Sequence, residues 1–218
     1  MPRTPPPSRL NVLFIGNSFT ARNDLPGLIA TIAAAAGKRL DHRLISAGGA
    51  SLRRHWNSGE AARAIAAQQF DYVVLQEQST LPIKNRDRMH ENVRLFDEVI
   101  RKAGARTALY LTWARAHAPE SQAAITEAYE SIGRELGATI IPAGVAWEAF
   151  LREHDEPVLH DADGSHPTLA GSYLAACVAY RAVFQASLPR EVEIDGLTKD
   201  EMKSLQRAAG AISTPTGK

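Results

Sequence analysis

The chain contains very little cysteine, since Cys177 is the only one among 218 residues. A single cysteine excludes an internal disulfide framework and any Cys-x-x-Cys metal or redox motif. Cys177 lies in an apolar helical pattern, which indicates a core residue rather than a reactive thiol.

The chain also lacks an excess of charge of either sign. It has 25 Lys and Arg against 24 Asp and Glu, which leaves a formal net charge of +1. This balance excludes the strongly basic composition with which proteins hold nucleic acid or anionic membranes by charge alone. We therefore expect no nucleic-acid partner, while neutral small molecules and sugars stay open as substrates.

Long apolar runs are absent as well. No stretch approaches the ~20 apolar residues that a membrane span needs, so no membrane partner is expected. Residues 1–9 contain four prolines and lack the apolar core of a secretory signal. We predict a flexible Pro-rich tail at 1–9 and a cytoplasmic location for the chain as given. An exported form whose leader has been removed stays an alternative.

Short apolar runs alternate with helical patterns, which is typical of successive βα units. Residues 40–44 alternate apolar and polar side chains and predict an edge strand. Four other runs are continuous, as expected of central strands covered on both faces: 12–15, 73–75, 108–111 and 139–141. The length and the 44% hydrophobic content suit one domain. The predicted fold is a flavodoxin-like three-layer α/β/α sandwich around a mostly parallel five-stranded sheet.

The helices between these strands have recognisable ends and apolar stripes. Pro26 and Gly37 bracket the first helix, and the later patterns predict helices over 85–103, 119–136 and 168–184. We expect residues 10–190 to form the main domain and 191–218 a C-terminal extension. A helix is predicted to start there at Thr198, because Thr198 and Glu201 have the spacing of a capping box.

Polar residues follow every predicted strand. They lie at positions 16–20, 46–51, 76–79, 113 and 115, and 160–167. In an open parallel sheet, ligands bind beyond the carboxyl ends of the strands, where loops diverge and helix N-termini present free N–H groups. This rim of the sheet is therefore the predicted functional site.

Three rim residues have the chemistry of a nucleophile and its base. Ser18 follows a buried strand in a tight turn, and Asp163 and His166 are three positions apart, where a carboxylate can orient an imidazole. Taken alone, such a serine is more often a helix cap, and such a pair a capping Asp beside a surface His. Their convergence on one rim favours catalysis, because independent caps have no reason to meet.

Two potential hydrogen-bond donors lie between them. Gly49 lacks a Cβ, so its backbone N–H can approach a substrate oxygen, although a Gly-Gly pair also suits an ordinary turn. Gln78 belongs to a polar run directly after a buried strand, Gln76-Glu77-Gln78. That run is unusual unless the strand end is lined for a ligand, and the alternative for Gln78 is a solvated side chain.

Four sequence blocks on this rim resemble those of the SGNH or GDSL-like hydrolases, in which Ser, Gly, Asn and His each mark one block. They are Gly16-Asn17-Ser18, Gly49-Ala50-Ser51, Gln76-Glu77-Gln78-Ser79 and Asp163-Gly164-Ser165-His166, the last followed by Pro167. The first block has Asn17 where the family usually has Asp. The third has Gln78 in place of Asn and Gln76 in place of Gly. The similarity runs from residue 16 to residue 166.

The resemblance implies a hydrolase of acyl esters. Ser18 would be the nucleophile, His166 the general base and then the general acid, and Asp163 the residue that orients His166. The oxyanion hole would consist of the Ser18 and Gly49 backbone N–H groups and the Gln78 side-chain amide. Such a site needs neither a cofactor nor a metal.

The resemblance also bears on the substrate. Many relatives remove acetyl groups from sugars or cleave small esters, so the expected partner is a small-molecule or carbohydrate ester. Asn17, Trp113 and Arg115 are candidate substrate-binding residues, and Trp113 is equally well interpreted as a core or sheet-edge aromatic. The acyl length, the alcohol portion, the oligomeric state, the role of residues 187–218 and the choice between Gln78 and Gln76 stay open.

Other functions are weighed on the same residues. A thioesterase or acyltransferase would use the same triad, and a non-catalytic carbohydrate-binding or interaction module would keep the fold without the chemistry. The α/β-hydrolase elbow, Gly-x-Ser-x-Gly, lacks its second glycine here, and the dinucleotide and P-loop motifs are missing. A divalent-metal site is a further alternative, with imidazole and carboxylate ligands: His160, Asp161, Asp163 and His166.

Overall fold

The computed structural model describes residues 7–213. Its strands are β1 (Arg9–Gly16), β2 (Arg39–Ser46), β3 (Tyr72–Leu75), β4 (Arg106–Tyr110) and β5 (Thr139–Ile141). Its α-helices are α1 (Ser18–Ala21), α2 (Leu25–Ala35), α3 (Leu52–Ser58), α4 (Glu60–Ala67), α5 (Leu81–Lys84), α6 (Arg86–Lys102), α7 (Gln122–Leu136), α8 (Ala143–Glu153), α9 (Leu169–Phe184) and α10 (Lys199–Ala211).

The five strands form one sheet in the order β2-β1-β3-β4-β5, and every neighbouring pair is parallel. The predicted five-stranded sheet and the edge position of β2 are confirmed. The prediction that 139–141 is a central strand is wrong, because β5 forms the opposite edge beside β4. A continuous apolar run shows that both faces of a strand are covered, and it carries no information about lateral neighbours.

Alternate residues of the strands face opposite helical layers. Val12 and Phe14 of β1 pack into a cluster with side chains of α2, α8, α9 and α10. Leu13 and Ile15 pack into a second cluster with side chains of α3, α4, α6 and α7. The sheet is therefore the middle of three layers, and its carboxyl ends remain the place where loops converge.

Helices α2, α6, α7 and α9 lie where the sequence patterns predict them. The capping box is present, since Thr198 and Glu201 exchange both hydrogen bonds at the start of α10. Residues of α10 join the core beside α9, so the C-terminal extension packs onto the main domain. Sequence patterns miss α1, α3, α4, α5 and α8.

Part of the predicted N-terminal tail belongs to the described residues. Residues 1–6 of the predicted tail lie outside the described residues, and Arg9 already belongs to β1. None of the helices between residues 7 and 213 is long and apolar enough to cross a membrane.

Two helical glycines provide a matched test of the packing. A Cβ at Gly171 in α9 would lie 2.5 Å from the Leu159 carbonyl oxygen, whereas a Cβ at Gly210 in α10 would meet nothing within 4 Å. We expect Gly171→Ala to lower the free energy of unfolding by about 1–3 kcal/mol through overpacking. Gly210→Ala should raise it by about 0.5 kcal/mol through helix propensity. Urea denaturation measures both, and equal effects would contradict the packing of α9.

Candidate active site

The Ser18 turn begins where β1 ends. Asn17 caps α1 with its Oδ1, which accepts from the Phe19 N–H at 3.0 Å. The Asn17 backbone N–H donates to Gln76 Oε1 at 2.8 Å. Gly16 permits this approach, because a Cβ there would lie 2.6 Å from Gln76 Oε1. The turn leaves Ser18 half-buried at the rim of the sheet.

The segment 160–167 brings His166 to this turn from far along the chain. Ser18 Oγ lies 2.8 Å from His166 Nε2, and His166 Nδ1 lies 2.5 Å from Asp163 Oδ2. Asp163 Oδ1 also accepts from the backbone N–H groups of Ser165 and His166, each at 2.9 Å. The structure thus places the predicted nucleophile, base and orienting residue in hydrogen-bonded order.

The low pKa of Asp163 indicates which nitrogen of His166 carries the proton. The hydrogen bond from the His166 side chain, followed by those from the His166 and Ser165 backbone, holds the pKa of Asp163 well below its usual range. The carboxylate therefore stays ionised at neutral pH, and His166 Nδ1–H donates to it. His166 Nε2 is then the acceptor for the Ser18 hydroxyl, which is the tautomer that a general base needs.

The structure does not support the metal alternative. Asp161 pairs with Arg22, and His160 Nε2 lies 3.0 Å from the Ala114 carbonyl oxygen. In the part of the chain that the structure describes, no three His, Cys, Asp or Glu side chains are arranged to hold a metal ion.

The loop after β2 reaches the Ser18 turn. Asn17 Nδ2 donates to the Ala50 carbonyl oxygen at 3.0 Å, so Gly49 lies beside the turn. Gly49 has a φ of +61°, and a Cβ built on it would meet no atom of a more distant residue within 4 Å. This left-handed, exposed position suits a backbone N–H that a ligand approaches.

The two glutamines after β3 have different environments. Gln76 is 1% exposed, and its amide donates to the Glu77 carbonyl oxygen, so it offers no surface to a ligand. Gln78 is half-buried, and its Oε1 accepts from the Thr80 N–H, the Thr80 hydroxyl and the Leu81 N–H at 2.9–3.1 Å. These donors assign the amide oxygen, which leaves the amide N–H groups of Gln78 for a ligand. Gln78 rather than Gln76 suits the third oxyanion donor.

Glu77 is a buried carboxylate to which sequence patterns assign no role. Its Oε1 accepts from the Leu52 N–H at 2.9 Å and the Gln78 N–H at 2.7 Å, and its Oε2 accepts from Asn92 Nδ2 at 2.8 Å. The Glu77 side chain thus hydrogen-bonds both Leu52, which follows the Gly49 loop, and Gln78. The available signal was a charged residue directly after a buried strand. Burial raises the pKa of Glu77.

Two of the three candidate substrate-binding residues are buried. Asn17 is 3% exposed, and its side chain is used on Phe19 and Ala50. Trp113 is 2% exposed, and its ring stacks on Phe19 and on Trp147 with centroids 4.9 and 3.9 Å apart. The prediction that Asn17 and Trp113 bind substrate is corrected accordingly, because neither presents its side chain to solvent.

Arg115 stands in a different environment. It is half-buried in the wall of a cavity of about 540 Å³, and Trp113, Leu151 and His160 also form part of that wall. The volume is that of a small-molecule site. Arg115 and Trp113 both line this cavity, and of the two only Arg115 has a partly exposed side chain.

Comparisons with known proteins rest on structure rather than on sequence. No protein-family model and no curated protein matches the chain. A proposed SGNH hydrolase from Slackia heliotrinireducens is 27% identical, with a TM-score of 0.70 over 80% of this chain and 98% of that one. A DUF4886 family protein from Bacteroides uniformis is 23% identical, with a TM-score of 0.71 over 92% and 93%. An acetylxylan esterase from Geobacillus stearothermophilus is 17% identical, with a TM-score of 0.62 over 83% and 96%.

The chain has an SGNH/GDSL-like hydrolase fold. This confirms, at the level of the fold, the resemblance carried by the four sequence blocks. The neighbours of this fold include hydrolases and esterases.

The buried Glu77 predicts a pH dependence of stability. Because burial raises its folded-state pKa above the unfolded value, its contribution is complete below the unfolded pKa and is lost as the pH rises through the folded pKa. Glu77→Gln cannot titrate. We expect the free energy of unfolding of the wild type, relative to this variant, to fall as the pH rises from below about 4, where a free glutamate is protonated, toward neutral pH. Urea denaturation across this range measures it, and a constant difference would contradict the assignment.

Proposed function

We propose that this chain, with its SGNH/GDSL-like fold, is a serine hydrolase that cleaves carboxylic esters through an acyl-enzyme. The observation that carries the proposal is the ordered contact from Ser18 through His166 to Asp163, with side-chain distances of 2.8 and 2.5 Å. Ser18 and His166 are 148 positions apart. Two unrelated helix caps would have no reason to meet in the one order that activates a hydroxyl.

The reaction follows from these positions. Ser18 Oγ attacks the ester carbonyl carbon while its proton passes to His166 Nε2, and the ionised Asp163 stabilises the imidazolium. In this proposal the backbone N–H groups of Ser18 and Gly49 and the Gln78 amide donate to the oxygen on which negative charge develops. His166 then protonates the leaving alcohol. In the second half, His166 takes a proton from water, which attacks the acyl-enzyme carbonyl carbon; the bond to Ser18 Oγ then breaks as His166 returns the proton to that oxygen and the acid is released.

The substrate class proposed is short acyl esters of small polar molecules, acetylated sugars among them. The exposed Gly49 loop leaves the rim open on one side, whereas the wall of the cavity that Arg115 lines contains no residue of the triad, so Arg115 carries no part of this choice. One structural neighbour is an acetylxylan esterase, which favours acetyl groups on a carbohydrate as the class to test first. The proposal needs no cofactor.

Ser18→Ala tests the nucleophile directly. We expect a fluorophosphonate to add one covalent mass to the wild type and none to the variant, because the attacking hydroxyl is gone. Turnover of 4-nitrophenyl acetate and of acetylated xylo-oligosaccharides should fall by about 10⁶-fold. Ser79→Ala, which changes another half-buried serine of the same rim, is the control and should label like the wild type.

The opposite outcomes are equally clear. Labelling that persists in Ser18→Ala would assign the nucleophile elsewhere. A wild type that neither labels nor turns over any acetyl, butyryl or long-chain ester would favour a non-catalytic binding module on this fold.

Gln78 is tested with two variants that separate its two ends. Gln78→Ala should lower kcat by about 10²- to 10³-fold with KM within a few-fold, since an oxyanion donor acts mainly in the transition state. Gln78→Glu keeps the acceptor for Thr80 and Leu81 but replaces the donor with an oxygen, so its kcat should fall at least as far. Wild-type kcat in Gln78→Glu would show that Gln78 only caps the 79–81 turn.

A further inference from the structure

Trp113 contacts the residue that follows Ser18 and the residue that precedes His166. Its ring stacks on Phe19, the residue after Ser18, with centroids 4.9 Å apart and planes within 6°. The Phe19 and His166 rings pack in a T-shaped arrangement with centroids 5.6 Å apart. The Phe19 ring therefore contacts both the buried Trp113 ring and the His166 imidazole.

The indole N–H of Trp113 contacts the loop that carries His166. Its Nε1–H donates to the Ser165 carbonyl oxygen at 3.0 Å, and Ser165 directly precedes His166. Two further contacts join this strand end to segment 160–167: the Ala116 N–H donates to the Gly164 carbonyl oxygen at 2.8 Å, and His160 Nε2 lies 3.0 Å from the Ala114 carbonyl oxygen. Trp113 differs from these in that its side chain contacts both the Ser18 turn and the His166 loop.

We propose that Trp113 is a positioning residue, which sets the distance between Ser18 and His166 by stacking on Phe19 and by donating to the Ser165 carbonyl. This role rests on the proposed function, since it concerns the geometry of the Ser18–His166 pair. It replaces the predicted contact of Trp113 with substrate. A small displacement of either partner is costly, because proton transfer from Ser18 requires hydrogen-bond distance to Nε2.

The neighbouring Trp147 provides a matched control. Its ring stacks on Trp113 with centroids 3.9 Å apart and planes within 2°, and it is 1% exposed. Among the described residues its Nε1–H has no hydrogen-bond partner. Trp→Phe at 147 removes ring area from the same stack and from the contact with His160 but removes no hydrogen bond to the loop, whereas Trp→Phe at 113 also removes the donor to Ser165.

The experiment compares Trp113→Phe with Trp147→Phe, using 4-nitrophenyl acetate kinetics, fluorophosphonate labelling and thermal unfolding. We expect Trp113→Phe to lose about tenfold in kcat and in labelling rate, with KM within about twofold, the size of effect of one lost hydrogen bond. Trp147→Phe should stay within about twofold of the wild type in kcat, while the two variants lose similar Tm because both remove buried ring area.

A second substitution keeps the test decisive if Trp113→Phe folds poorly. Benzothienylalanine at position 113, introduced by nonsense suppression, keeps the bicyclic ring and removes only the N–H donor. It should reproduce the loss in kcat with little change in Tm. Equal kcat for the 113 and 147 variants, or wild-type kcat with benzothienylalanine, would overturn the positioning role while the proposed function stands. A wild type indistinguishable from Ser18→Ala would overturn the proposed function and this role with it.

Discussion

A buried amide holds the carboxyl ends of β1 and β3 together. Gln76 Oε1 accepts from the Asn17 N–H at 2.8 Å and from the Thr20 hydroxyl at 3.0 Å. It reaches them only because Gly16 has no side chain. Asn17 and Thr20 flank Ser18, so this amide decides where the serine turn stands relative to the neighbouring strand. The loops after β2 and β3 are placed in turn against that position.

The residues that hold the loops of the site are polar and buried, whereas two side chains of the candidate triad are partly exposed. Gln76 and Glu77 are at most 1% exposed, and each is satisfied by the backbone of another loop, as burial of polar groups requires. In contrast, the side chains of Asp163 and His166 are 48% and 28% exposed. The hydrogen bonds of Gln76 and Glu77 fix the positions of the loops, and the partly exposed Asp163 and His166 stay accessible to substrate and water.

The aromatic residues near the site contribute rigidity rather than a binding surface. Trp147, Trp113 and Phe19 form a continuous buried stack that ends at the edge of His166. Residue type alone does not distinguish an aromatic that binds substrate from one that packs. The distinction depends on which neighbours cover the ring, and for Trp113 these come from α1 and α8, distant in sequence.

Local pattern and spacing by themselves determined much of this protein. Periodicity and helix-end signals predicted the five strands and half of the ten α-helices between residues 7 and 213, since covered strands and amphipathic helices carry a regular spacing of apolar residues. The shared edge of parallel strands predicted that Ser18, Gly49, Gln78 and His166 lie on one rim. Asp163 and His166 are three positions apart, so their contact is a local one.

Tertiary structure alone decided the rest. It set the edge position of β5, the contact of Ser18 with His166 across 148 positions, and the burial of Asn17 and Trp113. It also assigned Gln76 to the scaffold, left the Gln78 amide free, and gave Glu77 its three partners. Each of these depends on which distant segments pack together, and a local pattern records only what a residue prefers, not which neighbour it meets.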